Sequence, residues 1–149
     1  MITLEDMQVA LAKAHAEKVE VQARLRMAAA ELVNSYRESL GVSAEQGKAI
    51  VSTGVEKYSD FVSMPVAMME IGTNRTLEFC LSTTIQDLRV SKFVISVSIS
   101  MREKDEFISV RIENDTVPVL VLRDGVEARF SEAVEAIKQA VIRSIERLA

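Results

Sequence analysis

Apolar residues recur at helical spacing from Leu4 onward, and neither glycine nor proline interrupts them before Gly41. Thr3 suits the role of N-cap. Glu5 and Asp6 favour the positive end of the helix dipole, and Gly41 fits the left-handed residue that ends many helices. The pattern predicts one helix of about 37 residues within 1–41. Read in heptads, its positions are Leu4, Met7, Leu11, Ala14, Lys18, Val21, Leu25, Ala28, Leu32 and Ser35, apolar except at Lys18 and Ser35. A second, alanine-rich stripe runs beside it through Ala12, Ala16, Val19, Ala23, Met27, Ala30 and Val33. Adjacent residues lie ~100° apart around a helix, so the two stripes face different directions.

At 1.5 Å per residue such a helix spans roughly 55 Å, whereas a compact domain of this chain length is roughly 38 Å across. An unbroken helix must overhang its own domain, and an apolar stripe on the overhang needs a cover from another chain. Self-association with two-fold symmetry is the simplest cover. The expected oligomer interface is Leu4, Met7, Leu11, Val21, Leu25 and Leu32, and the expected assembly is a homodimer. The alternative is a kink around Ala28–Ala30 that folds the helix back on itself.

A second helix is expected from Ser43, where Ser43 and Gln46 can form a capping box, through Ala49, Ile50, Val55, Tyr58, Phe61 and Val62 to Pro65. Gly47 and Gly54, seven apart, would share a face of close packing. Beyond Pro65 the period changes to two. Strands are expected at Val66–Ile71, Thr76–Thr84, Lys92–Met101, Phe107–Glu113 and Val117–Arg123, with a short last one at Val126–Arg129. Turns are expected at Gly72–Arg75, Arg102–Asp105, Asn114-Asp115 and Asp124-Gly125. The run Val119–Leu122 reads as buried on both faces. Ser131 is expected to cap a final helix within 131–149, its apolar face made of Phe130, Val134, Ile137, Val141, Ile145 and Leu148.

The expected fold is a single α+β domain over 1–149. A long helix and a second helix precede a five- or six-stranded antiparallel meander within 65–129, and the C-terminal helix packs on the sheet. The chain has 149 residues, enough to bury a core without staples. Its net charge of −4 supplies no field for a nucleic-acid backbone, tryptophan is absent, and Phe79, Phe93 and Phe107 alternate with polar residues as core residues do. Nucleic acid is therefore not an expected partner. No apolar run reaches membrane-spanning length and the first residues carry no positive cluster, so a cytoplasmic protein with no membrane partner is expected.

Candidate chemistry is thin. The single cysteine, Cys80, excludes an internal disulfide, and the single histidine, His15, excludes sites needing two such ligands. The Gly41–Lys48 stretch misses the phosphate-loop spacing by one residue and places Ala49 where a hydroxyl is needed. Cys80 reads as a packing residue and His15 as a surface or interface residue. The acids Glu103, Asp105 and Glu106, and then Glu113 and Asp115, read as solvated turns. No catalytic, cofactor or metal residues are expected.

Two features exceed framework. Ser96, Ser98 and Ser100, beside Ser82, Thr84 and Ser109, form a strand face of short hydroxyls suited to contact with a partner. Met64–Met69 is rich in methionine and reads as core. The expectation is a non-enzymatic, self-associating protein that binds another macromolecule, most simply another protein: an adaptor, a secretion-type chaperone, or a small inhibitor such as a phage counter-defence protein. The competing expectation is a small-molecule binder. The element order resembles that of helix-grip folds, which hold apolar ligands between the sheet and the last helix, although no strand precedes the first helix here.

Overall fold

A computed structural model describes residues 1–87, 91–125 and 127–148. Helix α1 runs unbroken over Leu4–Ser39, 36 residues, with no kink at Ala28–Ala30. Thr3 caps it as expected: its hydroxyl accepts from the Asp6 amide at 3.2 Å while the Asp6 carboxylate accepts from the Thr3 amide at 2.9 Å. Gly41 follows its end at φ 74°, where a side chain would be strained.

The second helix, α2, has the expected Ser43–Gln46 capping box but covers only Ala44–Ile50. The rest of the expected helix is a β-hairpin, β1 at Val51–Lys57 and β2 at Asp60–Ser63. Val51, Thr53 and Val55 are β-branched and prefer extended backbone. The two-residue turn is Tyr58-Ser59, both at positive φ. Such a turn usually carries Asn or Gly, so its usual sequence mark is missing. Gly54 therefore sits in a strand: a Cβ there would overlap the Val62 carbonyl oxygen and the Phe61 ring. Gly47 stays in α2, where a Cβ would lie 3.4 Å from the Arg37 Cβ.

Strand β3 covers Thr76–Gln86, β4 Lys92–Lys104, β5 Phe107–Ile112 and β6 Val119–Leu122. The sheet is antiparallel throughout, in the order β2-β1-β3-β4-β5-β6. It is a meander from β3 onward, with the earlier hairpin added on the far side of β3. The expected strand Val66–Ile71 is instead a 3₁₀ turn, Val66–Met68, followed by a segment bound to α1. Arg26 donates to the Met69 carbonyl at 2.6 Å, and Gln22 accepts from the Ile71 amide at 3.0 Å. These side chains supply the bonds a neighbouring strand would have made. β4 runs through Lys104, so the expected turn at Arg102 begins only at Asp105.

Helix α3, Ser131–Glu146, closes the chain. Phe130 is its N-cap, not Ser131, whose hydroxyl donates to the Ala128 carbonyl at 2.7 Å. In the expected last strand, Val126 lies outside the described residues and 127–130 form turns. The Arg129 guanidinium instead donates to the Leu122 and Arg123 carbonyls at 2.7 and 2.6 Å, at the end of β6.

One face of the sheet carries both long helices. Leu77, Phe79, Leu81 and Thr83 of β3 lie opposite Met101, Ile99, Val97 and Ile95 of β4, and all are buried with the inner half of α1, with Phe130 and with Val134, Ile137 and Val141 of α3. Leu148, expected on that apolar face, is exposed. The Tyr36 hydroxyl is buried at 2.8 Å from the Thr83 hydroxyl, and burial pushes the Tyr36 pKa up. Among the described residues no helix is long and apolar enough to cross a membrane.

Candidate interaction surfaces

The strand alternation that buries Leu77, Phe79 and Leu81 sends Glu78, Cys80 and Ser82 to the opposite face. The same parity on β4 puts Ser96, Ser98, Ser100 and Arg102 beside them, and neither α1 nor α3 packs on that side. The register pairs Ser82 with Ser96, Cys80 with Ser98, Glu78 with Ser100 and Thr76 with Arg102. On the β5 side, Ser100 meets Arg111 and Arg102 meets Ser109. The expected hydroxyl face is thus continuous over Ser96, Ser98 and Ser100, whereas Ser82 beside them is buried. The hydroxyls of Ser82 and Ser96 lie 2.8 Å apart, whereas Thr84 lies farther along, opposite Val94.

Two shallow hollows mark this face. One, about 720 Å³, has Glu56, Glu78 and Glu113 around Cys80, Ser98, Ser100 and Arg111, with the hairpin tip at Tyr58 as one wall. The other, about 630 Å³, has Arg102, Lys104 and Arg111 facing Glu78, Glu103 and Asp105. The first is net acidic and the second balanced. Beyond it the face turns apolar: Phe107 pairs with Leu122, Leu120 follows two residues along, and all three are exposed. The expected double burial of Val119–Leu122 therefore holds only for the helix side, through Val121. Phe107 and Phe93 are not core residues, unlike Phe79.

The candidate nucleophile is poorly placed for reaction. Burial raises the Cys80 thiol pKa, the reverse of what activation requires, while a hydrogen bond to Ser98 opposes the shift. His15 stands exposed on α1. Two of the acids expected in turns are held by arginines. Glu103 accepts from Arg24 at 2.8 and 2.9 Å and lies 3.4 Å from Arg123, so the Arg24 hydrogen bond holds its carboxyl below the usual range. Asp115 lies 3.7 Å from Arg143. Among the described residues no three acids, cysteines or histidines converge on a metal position.

The six residues expected at an oligomer interface divide in two. Leu4, Met7 and Leu11 are 70, 58 and 72% exposed. Val21, Leu25 and Leu32 lie in the chain's own core. Every residue from Met1 to Glu20 is exposed, so the outer half of α1 stands off the body as an overhang. The methionine-rich segment divides similarly, with Met69 buried and Met68 exposed. The space between sheet and α3 is filled by Ile137, Val134 and Val141.

One feature escapes the sequence patterns. β4 is 13 residues long and β5 only 6, and β5 pairs with β4 only over Ile99–Lys104. The Glu113 amide still donates to the Ser98 carbonyl, at 2.8 Å, and there the chain leaves the sheet. By strand parity the backbone groups of Ser96 and Val94 point the same way as those of Ser98. Among the described residues no strand pairs with that edge over Lys92–Val97. Val94 and Phe93, 63 and 43% exposed, flank it on the two faces. The spacing of Asn114-Asp115 after Phe107 was the available signal, since it leaves β5 too short to match β4. No known family, characterised protein or solved structure matches the chain.

Proposed function

We propose that this is a non-enzymatic, self-associating protein that binds another macromolecule, with a protein as the partner. Self-association belongs to the overhang of α1, and recognition to the hydroxyl face of the sheet together with the free edge of β4. The observation that carries the reading is the exposure of Leu4, Met7 and Leu11 on a helix whose equivalent inner residues are fully buried. Soluble monomers rarely leave such a stripe wet. The sheet edge adds a backbone template of the kind that accepts an extended segment of a partner, beside short serines that obstruct nothing.

Native mass spectrometry of the purified chain tests the first part, and an apo-mass dimer or larger assembly is the expected result. A monomer at micromolar concentration would overturn it. For the second part, a partner retained by the wild type should be lost on Ser98→Arg, a substitution on the open face, while the assembly persists. Retention of that partner by Ser98→Arg would remove the sheet from the reading.

A further inference from the structure

The overhang restricts how a second copy can dock, and we infer that two chains pair through residues 1–17 of α1, running antiparallel with residue 9 at the centre. The inference rests on the self-association proposed above and adds the orientation and register of the pair.

The chain as a whole is extended rather than compact. The chain exposes 10241 Å², about a third more than the ~7,600 Å² expected for a compact monomer of this mass. A stable interface buries about 1,200–2,000 Å² over both partners. The outer half of α1 projects from the body, with every residue from Met1 to Glu20 exposed. Its stripe Leu4, Met7, Leu11 and Ala14 continues the heptad that becomes Val21, Leu25, Ala28 and Leu32 in the core. The surface to be covered is thus the core-facing side of the helix, extended past the end of its own sheet.

Orientation follows from Lys18. A parallel pair sets each heptad position against its own copy, which would place Lys18 against Lys18 in the seam and Glu5 and Asp6 beside their counterparts. An antiparallel pair opposes the helix dipoles, and it sets the acidic first turn of each chain at the level of Lys13 in the other. Register follows from the core. Pairing each residue i with 18 − i gives four apolar layers: Leu4 with Ala14, Met7 with Leu11, and the same two again by symmetry. Lys18 then lies outside the seam. Sliding the helices one heptad closer to the bodies would set Leu4 against Val21, which is already buried beneath its own chain, and Met7 against Lys18. Sliding one heptad the other way leaves only two layers, both Leu4 with Met7. In the favoured register Met1 of one chain reaches the level of Glu17 in the other. Glu17 is the outermost residue of α1 tied to the body, lying 3.4 Å from Arg75.

The experiment uses the full chain in a Cys80→Ser background with one new cysteine at a time. Ala10→Cys places thiols on flanking positions that lie side by side across an antiparallel seam, so mild oxidation should link two chains. Lys18→Cys places them about 27 Å apart along the axis, 18 residues at 1.5 Å each, so it should not link. Both sites are exposed and outside the core, so folding should be unaffected. Linking through Lys18→Cys but not Ala10→Cys would overturn the antiparallel arrangement and leave self-association standing. A dimer that links through neither, and whose mass is unchanged by Leu11→Asp, would overturn the overhang as the interface. A monomer by light scattering would overturn the functional reading as well.

Discussion

The two halves of α1 carry the same heptad in different surroundings. From Val21 to Leu32 every residue of the inner stripe is buried against the sheet, α3 or the segment around Met69. From Leu4 to Glu20 the stripe is just as apolar at Leu4, Met7, Leu11 and Ala14, yet all of it is exposed. The helix is equally well formed in both halves, since its backbone bonds are internal. What differs is where the rest of the fold ends. Links fasten α1 to the body from Tyr36, whose bond to Thr83 is buried, through Arg26, Arg24 and Gln22, to Glu17, whose contact with Arg75 is exposed. Amphipathicity alone does not say whether a stripe belongs to its own core or to another molecule. The position of the sheet decides it.

The same substitution at equivalent heptad positions should separate the halves most sharply. Leu25 is fully buried, so Leu25→Ala removes packed methyl groups and leaves a cavity, costing about 3 kcal/mol. Leu11→Ala leaves no cavity in the protomer. Urea unfolding at low protein concentration, where the chain is monomeric, should show a lowered midpoint for Leu25→Ala and an unchanged one for Leu11→Ala. Equal losses would mean that the outer half is packed after all. Leu11→Asp provides the complementary measurement. It places a charge in two seam layers of the pair and should raise the dissociation constant on the order of 100-fold, about 2.7 kcal/mol. Analytical ultracentrifugation reads that change, and far-UV circular dichroism at the same concentrations should keep its helical signal.

The sequence marked the elements whose period was strong and whose ends carried their own chemistry. The Thr3 cap, Gly41, the alternation in β3 and β4 and the face of α3 all reflect local rules that the fold obeys. The hairpin of β1 and β2 was illegible because its turn, Tyr58-Ser59, lacks the glycine or asparagine that such turns favour, and because the preceding Ser43–Gln46 box is a real helix start. Asp124-Gly125 misled in the other direction. It has hairpin chemistry, but Arg129 rather than a strand takes up the carbonyls at the end of β6. For the candidate surfaces, strand parity alone gathered the serines on one face. The division of the interface residues depends on where other elements stop, which no local pattern encodes, whereas the open edge of β4 follows from a β5 that stops short of Asn114-Asp115.

A smaller effect tests the inner anchor. Tyr36→Phe removes the hydroxyl that bonds Thr83 and leaves the Thr83 hydroxyl buried without that partner, so a loss of about 1–2 kcal/mol is expected. Restoring an apolar match with Thr83→Val in the same chain should recover much of it, because the one hydroxyl left unpaired by Tyr36→Phe is then removed. No recovery in the double variant would place the cost of Tyr36→Phe elsewhere than in the hydrogen bond.

The smallest expected effect lies where α1 leaves the sheet, at Arg24 and Glu103. The guanidinium's hydrogen bond holds the Glu103 carboxyl below its ordinary range in the folded chain, while in the unfolded chain the group titrates normally. A group with a depressed folded value stabilises the fold fully above its unfolded pKa, and the contribution fades as pH falls through the folded value. Arg24 is nearly half exposed, so solvent screening limits the pair to about 1 kcal/mol or less. Glu103→Gln should therefore lower the melting temperature slightly at neutral pH, and the gap from wild type should narrow as the pH drops below the ordinary glutamate range. Because the inner half of α1 is held chiefly by buried apolar contacts, this variant should leave the dimer intact. A gap that persists unchanged at low pH would show that Glu103 acts through neutral packing. A loss of dimer would show that the pair sets the angle at which the overhang leaves the body, coupling the two halves of the helix.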